Sequence, residues 1–310
     1  MTETPVAGPR IHGVVPVLET PFAADGAVDE TSFRSVAAHV RDSGAHGAMF
    51  PGFASEYSKL DDAERSALTS AFLEVTRDSA EFVSIVSVPD HSTEVAVRRA
   101  GEAAAAGAGA INVLPPHFLN PHRDALVEHV SEILRAVGST PVVVQLAPGL
   151  TGSTLSAGDV ALLADRFPHF AAVKVESTPP GRVVEALRLA APRLDYLVGL
   201  AGLHLPDALE RGATGVQPGC SFVELFVELW SAWHTNRRDE FDDLHRRLLP
   251  YLSVWMTSVE FVVQVEKTIS RERGLIQTEV CRRPGYRLDA TERRLIDRFL
   301  DEFADRWERS

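Results

Sequence analysis

FAAVKVE, at residues 170–176, is a short apolar run that contains one lysine, Lys174. Its length and its β-branched residues predict a strand buried on both faces, as is typical of parallel sheets. Lys174 is one of only three lysines among 31 basic residues. An amine in such a strand is either desolvated, which favours its neutral and nucleophilic form, or paired with a carboxylate.

Similar apolar runs recur along the chain, and amphipathic segments lie between them. Apolar residues at three- and four-residue spacing predict that these segments are helices. Eight buried strands alternating with helices fit a closed parallel barrel better than an open sheet, so we predict an α/β fold of the (β/α)8 TIM-barrel type. The predicted strands are Ile11–Val17, Gly47–Phe50, Phe82–Val86, Ala110–Leu114, Pro141–Gln145, Ala171–Val175, Leu194–Val198 and Ala213–Gln217.

The C-terminal part of the chain lacks strand patterns. Helical periodicity covers about Ser221–Ile269, and a final amphipathic stretch covers about Ala290–Trp307. No linker or low-complexity segment separates these helices from the preceding pattern. We therefore predict a barrel at residues 1–220 and a C-terminal helical extension at residues 221–310, packed on the barrel as a single structural unit.

Composition excludes several classes of protein. A net charge of −12, with acidic and basic residues interspersed, argues against binding to nucleic acid or to anionic membranes. No apolar stretch approaches the ~20 residues of a membrane-spanning helix. Only Cys220 and Cys281 are present, and residues 1–10 lack a secretory pattern, so we expect a cytoplasmic protein without a disulfide framework.

Active sites of (β/α)8 barrels lie at the carboxyl ends of the strands. Lys174 is the one centrally placed nucleophile among the residues predicted there, and the natural chemistry of such an amine is a Schiff base with a carbonyl substrate. The structural alternative is that Lys174 pairs with Glu56 or Glu176 and has no further role. Other side chains predicted at this rim are Phe53, Ala54, Ser55, Glu56, Asp90, His91, His117, Phe118, Gln145, Glu176, His204 and Gln217.

The rim also contains residue types that bind divalent metals. No pair among them has a tight ligand spacing such as His-x-His, so we predict no metal site. The chain has no Gly-x-Gly-x-x-Gly turn and no phosphate loop, and we predict no redox, nucleotide or pyridoxal phosphate cofactor. The possible metal ligands are His91, His117, His204, Glu56 and Glu176.

The order of short motifs resembles the family of dihydrodipicolinate synthase and N-acetylneuraminate lyase. These are barrel enzymes that bind an oxo acid through a lysine Schiff base, and the resemblance covers nearly the whole chain. It implies that Lys174 is the Schiff-base lysine and that the protein is a homo-oligomer, either a dimer or a tetramer. The motifs are Val15-Pro16, Thr20-Pro21-Phe22, Gly52-Phe53-Ala54-Ser55-Glu56, Ala103–Pro116, Pro141–Gly152, Val173-Lys174 and Arg283-Pro284.

The sequence departs from the family at the residues that relay protons. The family's tyrosine at the end of the fifth strand is Gln145 here, its two threonines are Phe53 and Ala54, and its second tyrosine falls on Phe118. An amide cannot relay a proton as a phenol does. Because the hydroxyl donors are lost as a set while the lysine is kept, we predict a changed reaction or substrate.

Three side chains are candidates to replace the tyrosine in proton transfer. Glu176 lies two residues beyond Lys174 on the same face of a strand, and the imidazole of His117 titrates near neutrality without any shift. For the third, Glu56, the resemblance favours a structural role that fixes its loop. Gln145 can still hydrogen-bond a substrate hydroxyl or carbonyl. The residues predicted to bind the substrate are Phe53, Ala54, Ser55, Glu56, His117, Phe118 and Gln217.

These residues lead to one main hypothesis and two alternatives. The main hypothesis is a Schiff-base lyase or aldolase that acts on a 2-oxo acid or related carbonyl compound, with Lys174, Gln145 and Glu176 as catalytic residues. It is not expected to be an authentic dihydrodipicolinate synthase. The first alternative is a catalytically impaired barrel that binds a carbonyl metabolite or acts as a partner protein. The second is a metal-dependent barrel enzyme that uses the rim histidines.

Overall fold

The computed structural model describes residues 10–116, 120–152 and 154–307. Its eight strands form one sheet in the order β1-β8-β7-β6-β5-β4-β3-β2, in which successive strands of the sequence are neighbours. This is the strand order of a (β/α)8 barrel, and the predicted fold is confirmed. The strands are β1 Gly13–Val14, β2 Gly47–Phe50, β3 Val83–Val88, β4 Ala110–Val113, β5 Val142–Leu146, β6 Phe170–Val175, β7 Asp195–Val198 and β8 Gly215–Val216.

The first and eighth strands are shorter than the sequence predicts by more than one residue. The first was expected over Ile11–Val17 but is a strand only at Gly13–Val14. Pro16 has no N–H group to contribute to a ladder, which shortens the regular pairing. Backbone bonding nevertheless continues, because the Met49 N–H donates to the Pro16 carbonyl at 2.9 Å. The eighth strand is likewise reduced to Gly215–Val216.

Helices follow the strands, and several begin at side chains that cap them. Asp61, Ser156 and Asp289 each form a capping box with an acidic residue three positions later, which satisfies backbone N–H groups at the helix start. No described helix is both long and apolar enough to cross a membrane. The helices are α1 Glu30–Asp42, α2 Asp62–Thr76, α3 Thr93–Ala105, α4 Arg123–Ala136, α5 Pro148–Thr151, α6 Ala157–Arg166, α7 Pro180–Ala190, α8 Leu205–Glu210, α9 Val223–His234, α10 Arg238–Trp255, α11 Val259–Glu272, α12 Ala290–Glu302 and α13 Ala304–Trp307.

The chain divides into two compact units. Among the described residues, the first unit comprises residues 10–12 and Ile85–Val216, and the second comprises Gly13–Ser84 and residues 217–307. In the first unit, neighbouring strands from β3 to β8 are parallel and their apolar side chains are buried. In the second unit, the C-terminal helices pack through aromatic rings, with Phe299 5.1 Å from Trp255 between ring centroids. The predicted boundary at residue 220 stays a prediction.

Glu19 is a carboxyl group buried in the second unit at 1% exposure. Neither of its oxygens has a hydrogen-bond partner among the described residues. Burial raises the pKa of Glu19 from its ordinary 4.5 to about 7. The neighbouring Ser270 hydroxyl and the Lys267 ammonium act to lower this pKa, whereas the carboxylates of Glu266 and Glu56 act to raise it. Glu19 therefore retains a proton in the folded state at pH values where it is ionised in the unfolded chain.

Because the folded state binds this proton more tightly than the unfolded chain, the free energy of unfolding falls as the pH rises. The pKa of Glu19 is raised in the folded state, so its contribution is fully present below pH 4.5 and is lost by about pH 7. The loss amounts to roughly 3 kcal/mol. We expect Glu19→Gln, which cannot ionise, to be more stable than wild type at pH 8 by up to that amount.

The comparison is made by urea unfolding at pH 4.5 and pH 8. The difference between Glu19→Gln and wild type should appear at pH 8 and shrink at pH 4.5. Glu102→Gln is the matched control, because the Glu102 side chain on α3 is 62% exposed and its removal should leave the pH dependence unchanged. Equal stability of Glu19→Gln and wild type at pH 8 would contradict the raised pKa of Glu19 in the folded state.

Candidate active site

Polar side chains from four successive strands of the first unit form one hydrogen-bonded chain. Asn112 on β4 donates from Nδ2 to Ser87 Oγ on β3 at 2.9 Å and to Gln145 Oε1 on β5 at 3.0 Å. Gln145 in turn donates from Nε2 to Glu176 Oε2 at 2.5 Å. The other oxygen of Glu176, Oε1, lies 3.3 Å from Lys174 Nζ on β6. We call this set the polar chain.

Strand register and burial explain why these groups meet. Gln145 and Lys174 are register partners in β5 and β6, so their side chains leave the sheet side by side. Both are 3% exposed, and buried polar groups at such positions require partners. Glu176 follows β6 directly, and its N–H donates to the Leu146 carbonyl at 2.8 Å. The carboxylate is thus held at the carboxyl end of the strands, where barrel active sites lie.

Gly199, just after β7, leaves the space that Glu176 occupies. A Cβ atom at this position would lie 2.5 Å from both Cγ and Oε1 of Glu176. Atoms cannot approach so closely, so any larger residue at position 199 would displace the carboxylate that contacts Lys174.

The polar chain provides the parts that an amine nucleophile needs. Glu176 can accept the proton of the Lys174 ammonium across their contact, which leaves a neutral amine. The amide of Gln145 is engaged on both sides, by Asn112 and by Glu176. The structure therefore brings together the three residues predicted to be catalytic, and it adds Asn112 and Ser87, which the sequence analysis did not select.

The loop after β2 belongs to the second unit. Phe53, Ala54 and Ser55 form one turn of 3-10 helix. Ser55 is fully buried, and its hydroxyl accepts a hydrogen bond from the Gly52 N–H at 2.9 Å and donates to the Leu18 carbonyl. The hydrogen of this hydroxyl is therefore used by the backbone in this structure. The predicted role of Ser55 in substrate binding stays a prediction.

Glu56 follows this turn in the left-handed conformation, with φ of 52°. Its Oε1 accepts from the fully buried Lys267, and its Oε2 accepts from Lys59 Nζ and from the Arg282 N–H, each at 3.1 Å. Lys267 also donates to the Val280 carbonyl at 2.9 Å. These contacts tie the loop to α11 and to the segment after it, so they favour the structural interpretation of Glu56 over a role in proton transfer.

Three further residues predicted to bind the substrate are Gln217, His117 and Phe118. Gln217 in the second unit is buried; its Nε2 lies 4.0 Å from Met49 Sδ, and its Oε1 has no partner among the described residues. His117 and Phe118 lie outside the described residues, and their predicted roles stay predictions. In the part of the chain that the structure describes, no group of three or more His, Cys, Asp or Glu side chains could hold a metal ion.

Comparison with known proteins identifies the family. Residues 10–302 match the dihydrodipicolinate synthetase family. The chain belongs to this family. It is 30% identical over 246 residues to 4-hydroxy-tetrahydrodipicolinate synthase of Methanopyrus kandleri, a match that covers 78% of this chain and 81% of the relative. It is 28% identical to L-2-keto-3-deoxyarabonate dehydratase of Azospirillum brasilense, with 96% of this chain and 97% of the relative covered.

Solved structures of the family agree with the fold. The crystal structure of dihydrodipicolinate synthase from Rhodopseudomonas palustris is 25% identical, and the match covers 95% of this chain and 98% of that chain with a TM-score of 0.86. The resemblance inferred from the sequence motifs is confirmed. Members of the family are lyases and aldolases, and the chain is an enzyme of this kind.

Proposed function

We propose that this protein is a Schiff-base lyase or aldolase that acts on a 2-oxo acid or a related carbonyl compound, with Lys174 as the nucleophile. The observation that carries the proposal is the placement of Lys174. It is a buried amine near the carboxyl end of a barrel strand, with the carboxylate of Glu176 3.3 Å away to accept its proton. The proposed role also agrees with the family motif in which the lysine lies.

The proposed reaction begins with a proton transfer. Glu176 accepts a proton from the Lys174 ammonium, and the neutral Nζ attacks the carbonyl carbon of the substrate. The carbonyl oxygen takes up one proton from Nζ and the proton held by Glu176 and leaves as water, so a carbon–nitrogen double bond replaces the carbon–oxygen double bond. The resulting iminium accepts the electron pair of a neighbouring carbon–carbon or carbon–hydrogen bond. In the first case aldol cleavage follows, and Glu176 takes the hydroxyl proton of the departing fragment and returns it to the carbon left behind. In the second case Glu176 takes the C–H proton and gives it to a hydroxyl group, which leaves as water. Water then hydrolyses the carbon–nitrogen double bond and frees Lys174.

We propose a reaction other than that of the lysine-pathway synthases. Gln145 stands where the family has its relay tyrosine, and its amide is hydrogen-bonded to Glu176. Proton transfer therefore falls to Glu176, with Gln145 as the group that orients it. The similarity to a dehydratase of a 2-keto-3-deoxy sugar acid over 96% of the chain supports hydroxylated 2-oxo acids as the first substrates to test.

One observation favours a second candidate function. The ion pair of Lys174 with Glu176 is also what a catalytically impaired barrel would contain, since a buried ammonium needs a carboxylate partner. Such a barrel would bind a carbonyl metabolite without forming a covalent bond.

We further propose that the protein is a homo-oligomer, which sedimentation equilibrium can test.

Covalent trapping separates the two functions. The protein is incubated with a panel of 2-oxo acids and aldehydes that includes pyruvate and 2-keto-3-deoxy sugar acids. Sodium borohydride is then added and the intact mass is measured. Wild type should gain the mass of one reduced adduct with at least one compound, and Lys174→Ala should gain none. Binding of a panel member without any trapped adduct would favour the impaired barrel.

A further inference from the structure

The orientation of the two amides in the polar chain follows from the carboxylate of Glu176 at its end. An ionised carboxylate only accepts hydrogen bonds, so an ionised Glu176 requires Gln145 to turn its NH₂ group toward it. The Oε1 of Gln145 then faces Asn112 and needs a donor. Nδ2 of Asn112 supplies it at 3.0 Å. The orientation of one amide thus fixes the orientation of the next.

Asn112 keeps this orientation although its own amide oxygen is then left without a hydrogen bond. Its own Oδ1 is buried and has no partner among the described residues, which is unfavourable for an amide oxygen. Turning the Asn112 amide over would place that oxygen against Gln145 Oε1, and two acceptors would then face each other. Asn112 Nδ2 also donates to Ser87 Oγ, but a hydroxyl can either accept or donate and so permits both orientations. The contact with Gln145 therefore decides how Asn112 is oriented.

We propose that Asn112 is a positioning residue for the Schiff-base reaction. It holds the Gln145 amide with its NH₂ group on Glu176, and this keeps Glu176 ionised as the proton acceptor for Lys174. The inference rests on the proposed function for its role in catalysis. Among the described residues, Lys174 is the charged side chain that pairs with Glu176. Gln145 from β5 donates to the Glu176 carboxylate, and Gly199 after β7 leaves space for it.

Asn112→Asp tests the inference because it keeps the size of the side chain and replaces its donor by an acceptor. Gln145 must then turn its NH₂ group toward position 112 and its Oε1 toward Glu176. That arrangement requires a proton on Glu176. We expect the midpoint of Glu176 ionisation to rise by at least about one pH unit, a tenfold change in proton affinity.

The midpoint is measured by NMR on protein labelled with ¹³C at the glutamate side-chain carboxyl groups. The Glu176 signal is assigned by its loss in Glu176→Gln. The same titration in a Gln145→Met background separates orientation from the added charge, because Asn112→Asp can act through the amide only while Gln145 is present. Ser84→Ala, which removes another buried hydrogen bond of β3, is the control for general loosening.

A rise of one unit or more that disappears in the Gln145→Met background would support the inference. An unmoved midpoint, or an equal rise in both backgrounds, would overturn it. The pH at which borohydride trapping reaches half its maximal rate should move in the same direction in Asn112→Asp. Absence of trapping in wild type would count against the proposed function alone, because the NMR midpoint does not depend on catalysis.

Discussion

Lys174→Met is expected to lose turnover by at least about 1000-fold, because it removes the amine that forms the covalent bond to the substrate. Methionine fills a similar volume in the buried strand but has no nucleophile. Ser87, Asn112 and Gln145 in the polar chain offer a hydroxyl and two amides, and none of these can replace an amine in Schiff-base formation. Turnover is measured with the compound that the trapping screen identifies.

Two further variants show whether the loss is chemical. Lys174→Arg keeps a cation beside Glu176 but not a nucleophilic amine, so it should be as inactive as Lys174→Met. Lys59→Met removes a lysine of the second unit that is not part of the polar chain, so it should keep turnover within about threefold of wild type. Retention of more than a tenth of wild-type turnover in Lys174→Arg would contradict the covalent mechanism.

Lys267→Met is expected to lower the free energy of unfolding by about 3–5 kcal/mol. The Lys267 ammonium is fully buried, contacts Glu56 and lies 4.2 Å from the centroid of the Phe22 ring. Removing it leaves the buried carboxylate of Glu56 with less compensation. Guanidinium unfolding measures the loss, provided that the transition of wild type is two-state.

Lys59→Met serves as the matched control for this experiment as well. Lys59 contacts the same carboxylate, but its side chain is 10% exposed and it also pairs with the half-exposed Glu260. We expect a smaller loss for Lys59→Met than for Lys267→Met, because the Lys59 side chain reaches solvent and Lys267 does not. Equal losses for Lys59→Met and Lys267→Met would show that burial of the Lys267–Glu56 pair is not the source of the effect.

The sequence predicted the barrel because buried parallel strands leave a strong pattern. Runs such as residues 171–175 are apolar on both faces, and the helices between them have clear periodicity. The predicted strands agree with β2 to β7 within a few residues. The ends of β1 could not be predicted from apolarity alone, because hydrogen bonding near Pro16 decides where regular pairing stops.

The candidate site was predicted in part. The spacing of Lys174 and Glu176 places them on one face of a strand, and their contact follows from it. Asn112 was missed because it lies in the middle of the predicted fourth strand, whereas the selected residues lie near or beyond the ends of their predicted strands. Ser87 follows the predicted third strand directly, but the observed strand continues to Val88. A polar residue within an apolar run was the available signal, as it was for Lys174.

The pairing of Glu56 with Lys267 could not be predicted from the sequence. The two residues are 211 positions apart, and no periodicity relates a loop after one strand to a helix near the end of the chain. Lys267 was also one of only three lysines, but its place in an amphipathic helix gave no sign that the head group is fully buried. Such contacts depend on tertiary packing.

Peptide mapping of the reduced adduct shows which lysine forms the covalent bond to the substrate. Because the chain has only Lys59, Lys174 and Lys267, each lysine is found in a separate peptide and can be compared in one experiment. We expect borohydride to fix the substrate carbon on Lys174 and to leave the other two lysines unmodified. An adduct on Lys59 or Lys267, with Lys174 unmodified in an active protein, would contradict it.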